Sequence, residues 1–286
     1  MRIATLLLAV VAIVLGGCAS SDSGGGTRPS TTAAQTAPPD PDEPIPRDPA
    51  ALARRLTETT AALYGAIDRW RDRRGKTPEE VTLHALHQQR IHLLLTARPG
   101  LARRVVARLP ARLGRDVKAT VVARRGLGKL TPPVPRRRFR TGPAPPPGVL
   151  LDYYREAQRR FEVGWPVLAA VHFVESAFGR LRNESVAGAQ GPMQFIPSTW
   201  AAYGLGGDVH DPHDAILGAA NYLRASGAPG DYRRALYAYN PSSAYVAAVL
   251  SYTGVIRRDR RAFLAYHSWQ VFVRTPSGRR RITGPR

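Results

Sequence analysis

Residues 164–200 read GWPVLAAVHFVESAFGRLRNESVAGAQGPMQFIPSTW, and this stretch decides how the chain is interpreted. The apolar run from Trp165 to Val174 predicts a buried helix with proline in its first turn. Glu175 ends the run and lies on one stripe with Leu168 and Val171, at helical spacings of three and four. The sequence therefore predicts an acid on the apolar face of a helix.

A carboxyl removed from water keeps its proton to a higher pH than an exposed one, as a general acid near neutral pH must. The glycine-rich loop that follows contains Gln194, whose amide can donate and accept hydrogen bonds toward sugar hydroxyl and acetamido groups. Met193 and Phe195 flank that amide as candidates for an apolar wall against sugar faces, with plain core packing as the alternative. An acid beside such a loop indicates acid catalysis on a sugar polymer.

The first 18 residues have the features of a bacterial export signal. Arg2 gives a basic start, and residues 3–14 form a mostly aliphatic run. This run is too short for a permanent membrane-spanning helix, which needs about 20 apolar residues. It ends in LGGC, which resembles a lipobox, and Cys18 is the chain's one cysteine. We therefore expect residues 1–17 to be removed and Cys18 to be lipidated, which would anchor the protein to the membrane on the extracytoplasmic side.

Composition divides the rest of the chain. The segment after Cys18 is rich in Ser, Gly, Thr and Pro without apolar periodicity, which predicts a flexible linker. Two blocks with helical periodicity follow, and a Pro/Arg-rich connector separates them. Alternating apolar residues after Trp269 predict a short strand pair around Pro276. The expected units are a linker (18–46), a basic helical domain (47–130), a connector (131–148), a second helical domain (149–267) and a tail (268–286).

Short polar residues before proline predict three helix starts. They occur in Thr77-Pro78, Asp211-Pro212 and Asn240-Pro241. Such a side chain can cap the first turn, where proline is tolerated. By this interpretation Asp211 and Asn240 are capping residues without a chemical role.

The net charge is +21, from 42 Lys and Arg against 21 Asp and Glu. Residues 101–140 hold thirteen basic residues and one acid, Asp116, which predicts a positive face over the third helix and the connector. Nucleic acid is the usual partner of such a patch, but the export signal argues against it. We expect no nucleic acid and instead anionic lipid headgroups or acidic cell-wall polymers. The alternative is a solvated arginine face that reflects genome composition.

Three histidines, His84, His87 and His92, suggest a metal site at first sight. His92 lies off the helix face that the other two share, and no carboxylate is interleaved with them. The sequence also contains no calcium loop of the EF-hand type. We therefore expect no metal and no cofactor.

Several motifs in order resemble the lytic murein transglycosylases of the goose-lysozyme-like fold. They are Glu175-Ser176 after the apolar helix, Ser185 nine residues before Gln194, DPHDAILGAANYL at 211–223 and AYN at 238–240. The spacing from Asn240 to Tyr245 resembles the membrane-bound B-type branch. The fold class we expect is mainly α, with a lysozyme-like helical catalytic domain after the small helical domain and a short C-terminal β-hairpin.

The resemblance also implies a mechanism. In such enzymes the residue matching Glu175 protonates the glycosidic oxygen between N-acetylmuramic acid and N-acetylglucosamine in peptidoglycan. It then takes a proton from the muramic C6 hydroxyl, which leaves a 1,6-anhydro end. The residues implied in substrate binding are Ser176, Ser185, Met193, Gln194, Phe195, Tyr239, Asn240 and Tyr245. Pro192 departs from the pattern, since many relatives have a flexible or apolar residue there.

Other functions stay open at this point. Ordinary glycosidases use a second carboxylate opposite the acid, and Glu184 is the local candidate. The lack of a clearer partner favours assistance by the acetamido group of the substrate. The alternatives are a lysozyme-like hydrolase, a non-catalytic wall-binding lipoprotein, and an adhesin or envelope scaffold that uses the basic helices.

Overall fold

The computed structural model describes residues 37–131, 133 and 139–285, and most of these are helical. The predicted signal, Cys18 and the predicted linker up to residue 36 lie outside them. The last part of that linker was wrongly predicted to be flexible, because Arg90 donates to the carbonyls of Glu43 and Asp42 at 2.8 and 3.2 Å and Ile45 packs against the cluster that contains Leu52. The helices are α1 (Pro49–Arg69), α2 (Glu79–Ala97), α3 (Pro99–Val106), α4 (Ala111–Leu130), α5 (Pro147–Phe161), α6 (Trp165–Ser176), α7 (Pro197–Tyr203), α8 (Pro212–Ala225), α9 (Tyr232–Tyr239), α10 (Ser243–Arg258) and α11 (Arg261–Ser268). Two strands, β1 (Phe272–Thr275) and β2 (Gly278–Arg281), form an antiparallel hairpin. The mainly α class and the C-terminal hairpin are confirmed.

Of the three predicted capping side chains, only Asp211 is confirmed, although α2 does begin directly after Thr77-Pro78. The Asp211 carboxylate accepts from His213 N at 2.8 Å and Asp214 N at 3.1 Å. At the first predicted start, Pro78 itself precedes α2, and no side chain caps that helix.

The prediction for Asn240 was wrong. Asn240 ends α9 in an extended conformation, and α10 begins three residues later. Ser242 caps α10 instead, because its hydroxyl accepts from Tyr245 N at 3.3 Å. Asn240 therefore ends α9 through its backbone N–H, which donates to the Leu236 carbonyl, and its side chain does not cap α10.

The region expected as one third helix is two helices, α3 and α4. Pro110 lies between them and immediately precedes α4. Proline has no N–H to donate and obstructs a helix that would run through it, so the chain turns at residues 107–110. The exposed basic residues of this region therefore lie on two helices instead of one.

One hydrophobic core joins the two helical blocks. Its buried members include Leu63 and Ile67 of α1, Leu127 of α4, Leu168 of α6 and Tyr245 of α10. Helix α10 packs against both α4 and α6, and α5 packs against α6 and α8. Ten of the twelve residues of α6 are buried, so this helix runs through the core.

The hairpin is attached to α2. The side chain of Phe272 packs with Leu86 and Leu93. Gln89 donates to the Gln270 carbonyl at 2.7 Å and accepts from its backbone N–H at 2.8 Å. This pair of bonds closes the C-terminal segment onto the N-terminal block. Within the described ranges, every helix is too short or too polar to cross a membrane.

Candidate active site

Glu175 lies in the last turn of α6, where its side chain is only 4% exposed. Burial raises the pKa of Glu175 from 4.5 to about 8, because removal from water disfavours the charged carboxylate. The structure therefore confirms the predicted position of this acid on a buried helix. At neutral pH the carboxyl holds a proton that it can donate.

Two buried tyrosines surround this carboxyl. The Tyr245 hydroxyl, from α10, interacts with Glu175 and partly offsets the rise in its pKa. The contact falls short of ordinary hydrogen-bond geometry, and the hydroxyl has no other partner in the described part of the chain. Burial and the nearby Glu175 carboxylate both raise the pKa of Tyr239, whose hydroxyl donates to the Met193 carbonyl at 2.6 Å. Both hydroxyls thus lie at the acid, and that of Tyr245 remains available to a ligand.

Asn240 follows Tyr239 directly and is 4% exposed. Its Nδ2 is buried and makes no hydrogen bond within residues 37–131, 133 and 139–285. A buried amide donor without a partner costs free energy, about 1–3 kcal/mol in proteins. An acceptor supplied by a substrate would remove that cost.

The loop after α6 is fastened to the helix by Ser176. Its hydroxyl donates to the Pro192 carbonyl at 2.6 Å and accepts from Gly179 N at 2.8 Å. Gly191 has φ +71°, and a Cβ there would lie 1.8 Å from the Val209 carbonyl oxygen. The loop path is therefore set by these contacts, and Pro192 contributes its backbone oxygen. This positioning role of Ser176 was not predicted from the sequence. The glycines at 179 and 191, which favour tight turns, were the available signal that the loop needs such an attachment.

Ser185 and Gln194 hold the same loop from within. The Ser185 hydroxyl oxygen accepts from Ala187 N at 3.2 Å and Ala189 N at 2.9 Å. The Gln194 amide donates to the Gly191 carbonyl at 3.0 Å, and its backbone lies at φ +53°. Sugar binding by either side chain stays a prediction.

Met193 and Phe195 lie under the loop surface. Met193 is 0% exposed and Phe195 is 3% exposed. The Phe195 ring contacts Trp200 and Tyr239 at centroid distances of 5.1 and 5.9 Å. These contacts favour the core-packing alternative for both residues over an open apolar wall.

A second carboxylate does not accompany Glu175. Among the described residues, no acidic side chain contributes to the shift in the Glu175 pKa. Glu184 is exposed, and its oxygen accepts from the Gln190 amide at 3.4 Å. The site therefore combines one protonated acid with hydroxyl and amide groups.

The histidines of α2 do not form a metal-binding group in the described residues. Burial lowers the pKa of His87 to about 4 and that of His92 to about 3. Asp211, His213 and Asp214 do converge. Asp211 is occupied in capping α8, and His213 lies 2.9 Å from Glu156.

Residues 152–259 match the family model described as Transglycosylase SLT domain. The match begins inside α5 and ends just after α10, so it contains Glu175, its loop and both tyrosines. It supports a lytic transglycosylase-type domain with a lysozyme-like fold in this part of the chain. Helices α1–α4 and the hairpin lie outside the SLT match. No curated protein and no solved structure matches the chain.

Proposed function

We propose that the SLT domain cleaves the β-1,4 bond between N-acetylmuramic acid and N-acetylglucosamine in peptidoglycan without consuming water. The products would be a 1,6-anhydromuramic end and a free N-acetylglucosamine end. The observation that carries this proposal is the buried, protonated Glu175 within a matched SLT domain.

Glu175 acts twice in this reaction. First, its carboxyl gives a proton to the glycosidic oxygen while the bond from that oxygen to the muramic C1 breaks. The acetamido oxygen of the same sugar supports the positive charge that develops at C1. The muramic C6 hydroxyl then attacks C1, and its proton returns to the Glu175 carboxylate. The atoms balance without water, and the enzyme ends in its starting protonation state.

The surrounding groups fit this sequence. The Tyr245 hydroxyl favours the charged form of Glu175, so it assists the second step, in which the carboxylate must accept a proton. The unpartnered Nδ2 of Asn240 is a donor for a sugar oxygen. Ser176 acts as a positioning residue through the Pro192 carbonyl.

The absence of an acidic neighbour around Glu175 in the described residues favours this route over hydrolysis with two carboxylates. Exposed Glu184 is bound by Gln190 and is a weak candidate for activating water.

We further propose that the protein works in the bacterial cell envelope, anchored outside the cytoplasm by lipidated Cys18. The LGGC pattern supports this, and the linker-like composition of the residues that follow Cys18 fits a tether between the membrane and the folded part. Placement in the B-type branch likewise rests on the Asn240 to Tyr245 spacing.

The test is to incubate the full chain with isolated peptidoglycan and to measure the released muropeptides by mass spectrometry. We expect products that are one water lighter than hydrolysed muropeptides. Glu175→Gln should lower their release by about a thousandfold, within the range that general acid catalysis contributes. Glu184→Gln is the matched control and should keep nearly full activity.

Other outcomes would assign other functions. Reducing muramic ends, together with a large loss in Glu184→Gln, would identify a hydrolase. Wall binding without any release by the unsubstituted protein would identify a non-catalytic binding lipoprotein.

A further inference from the structure

A cavity with several basic side chains in its wall lies on the side of α6 that faces away from Glu175. Its volume is about 420 Å³, and its wall includes Phe173 and Val174 of α6 and Ala177, which follows the helix. At about 100° per residue, Phe173 and Val174 lie on neighbouring positions of one helix face, and Glu175 points about 150° away from the middle of that face. The cavity is therefore distinct from the candidate active site.

Five of the fifteen residues that line this cavity are basic. They come from three elements that are far apart in the sequence, namely Arg124, Arg125 and Lys129 of α4, Arg274 of β1 and Arg279 of β2. Within the described residues, no Asp or Glu lines the cavity, and none of these five cations forms an ion pair. The concentration of positive charge is thus without a protein counterion.

Backbone carbonyls satisfy some of these groups. Arg125 donates to the carbonyls of Leu95 and Thr96 at 2.7 and 2.9 Å. Arg274 donates to those of Gly128 and Thr131 at 2.9 and 3.1 Å. These bonds place the two guanidinium groups firmly but leave their positive charge in the cavity wall.

Arg279 is different because two of its three donor nitrogens have no partner in the described part of the chain. Its Nε and Nη1 atoms are buried and have no hydrogen-bond partner among the described residues. Arg279 lies directly opposite Arg274 in the hairpin. Two like charges at such opposed positions normally destabilise a strand pair. Burial, Arg124 and Arg274 all lower the pKa of Arg279. A guanidinium nevertheless keeps its proton in proteins, so its unpaired charge calls for an anion.

We infer that this cavity binds a phosphate-type oxyanion, held by Arg279 together with Arg124 and Arg274. These three arginines reach the cavity from α4, β1 and β2. A tetrahedral group presents oxygens in several directions and can accept from all of them, whereas a carboxylate presents two oxygens in one plane. The volume exceeds that of a free ion and leaves room for part of the molecule that carries the phosphate. Such a group occurs in anionic lipid headgroups and in phosphodiester polymers.

The first experiment is calorimetric titration of the full chain, in neutral detergent, with inorganic phosphate. Arg279→Gln should weaken binding at least tenfold, because it removes a charged donor from the site. Arg280→Gln is the matched control, since Arg280 is exposed on the adjacent position of β2 and does not line the cavity. It removes the same charge and should change the Kd by less than about twofold.

The melting temperature without phosphate shows whether a variant that fails to bind phosphate is still folded. Arg279→Gln should melt no lower than the unsubstituted protein, because it removes an unpaired buried charge. Three results would overturn the proposal: no phosphate binding by the unsubstituted protein, an equal loss in Arg280→Gln, or acetate that competes as well as phosphate.

Vesicles identify the source of the phosphate. If Arg279→Gln lowers binding to phosphatidylglycerol vesicles while phosphatidylcholine vesicles bind neither protein, the ligand is a lipid headgroup. If vesicle binding is unchanged while phosphate binding is lost, the ligand is a soluble or polymeric phosphate. Release of muropeptides should be the same in Arg279→Gln, because the cavity is separated from Glu175 by α6.

Discussion

A buried acid lies on one side of α6, and a cavity lined by several arginines lies on the other. On one side Glu175 lies among tyrosines with no charged partner in the described residues, and burial raises its pKa to about 8. On the other side Arg279 lies beside Arg124 and Arg274, also without a counterion in that part of the chain. The Glu175 carboxyl and two donor nitrogens of Arg279 are thus both buried without a charged partner among the described residues.

The two groups differ in whether a change of protonation can remove the free-energy cost of a buried charge. A carboxyl can take up a proton and become neutral, which makes it useful as an acid. A guanidinium cannot lose its proton near neutral pH, so its charge can be balanced only from outside. The same desolvation therefore produces a proton donor on one side of the helix and a binding site on the other.

The largest effect that tests this contrast is the pH dependence of turnover. Glu175 must be protonated to act as the acid, so kcat/KM should fall about tenfold per pH unit above a pKa of about 8. The measurement is the rate of muropeptide release between pH 5 and 10. Arg279→Gln should give the same alkaline limb, and a limb shifted in that variant would mean that the two sides are coupled.

A smaller effect is expected from Tyr245→Phe. The Tyr245 hydroxyl lowers the Glu175 pKa, so its removal should move the alkaline limb to higher pH. It should also slow turnover by about tenfold, the scale of a lost hydrogen bond to a charged group. Tyr252→Phe is the control, because Tyr252 is on the same helix but lies at the arginine cavity. An identical pH profile for Tyr245→Phe and the unsubstituted protein would remove Tyr245 from the site.

The smallest effect is on stability, and its sign follows from proton binding. Between pH 4.5 and about 8 the folded protein holds the Glu175 proton and the unfolded chain does not. The free energy of unfolding should therefore fall as pH rises through this window, by up to about 1.4 kcal/mol per pH unit.

Urea titrations of three proteins at several pH values would check this. Glu175→Gln should lack that decline and be more stable than the unsubstituted protein at pH 8, whereas Arg279→Gln should keep the decline. Parallel curves for all three proteins would contradict the assigned burial of the Glu175 charge.

Much of this arrangement follows from local sequence patterns. The apolar stripe that ends at Glu175 was enough to predict a buried acid on a helix, because helical spacing fixes which residues share a face. The C-terminal hairpin followed from alternating apolar residues. Asp211 was correctly interpreted as a cap because its partners are the next two or three residues.

Features built from distant segments could not be predicted in this way. The basic stretch was interpreted as an outer face, but Arg124 and Arg125 line a cavity that also needs Arg274 and Arg279. Nothing in the local pattern around Arg279 distinguishes it from exposed Arg280. Ser242 was overlooked because Asn240-Pro241 offered a stronger local capping signal than the residue that caps α10.

The common core described above also has a consequence for protein engineering. The SLT match covers residues 152–259, yet α4 and α1 pack into the same core as α6 and α10. A fragment cut at the limits of the match would lose α4 and α11, both of which pack against α10. The limits of the family match therefore do not coincide with the limits of the hydrophobic core, and we expect a stable fragment to need the N-terminal helices as well as the SLT match.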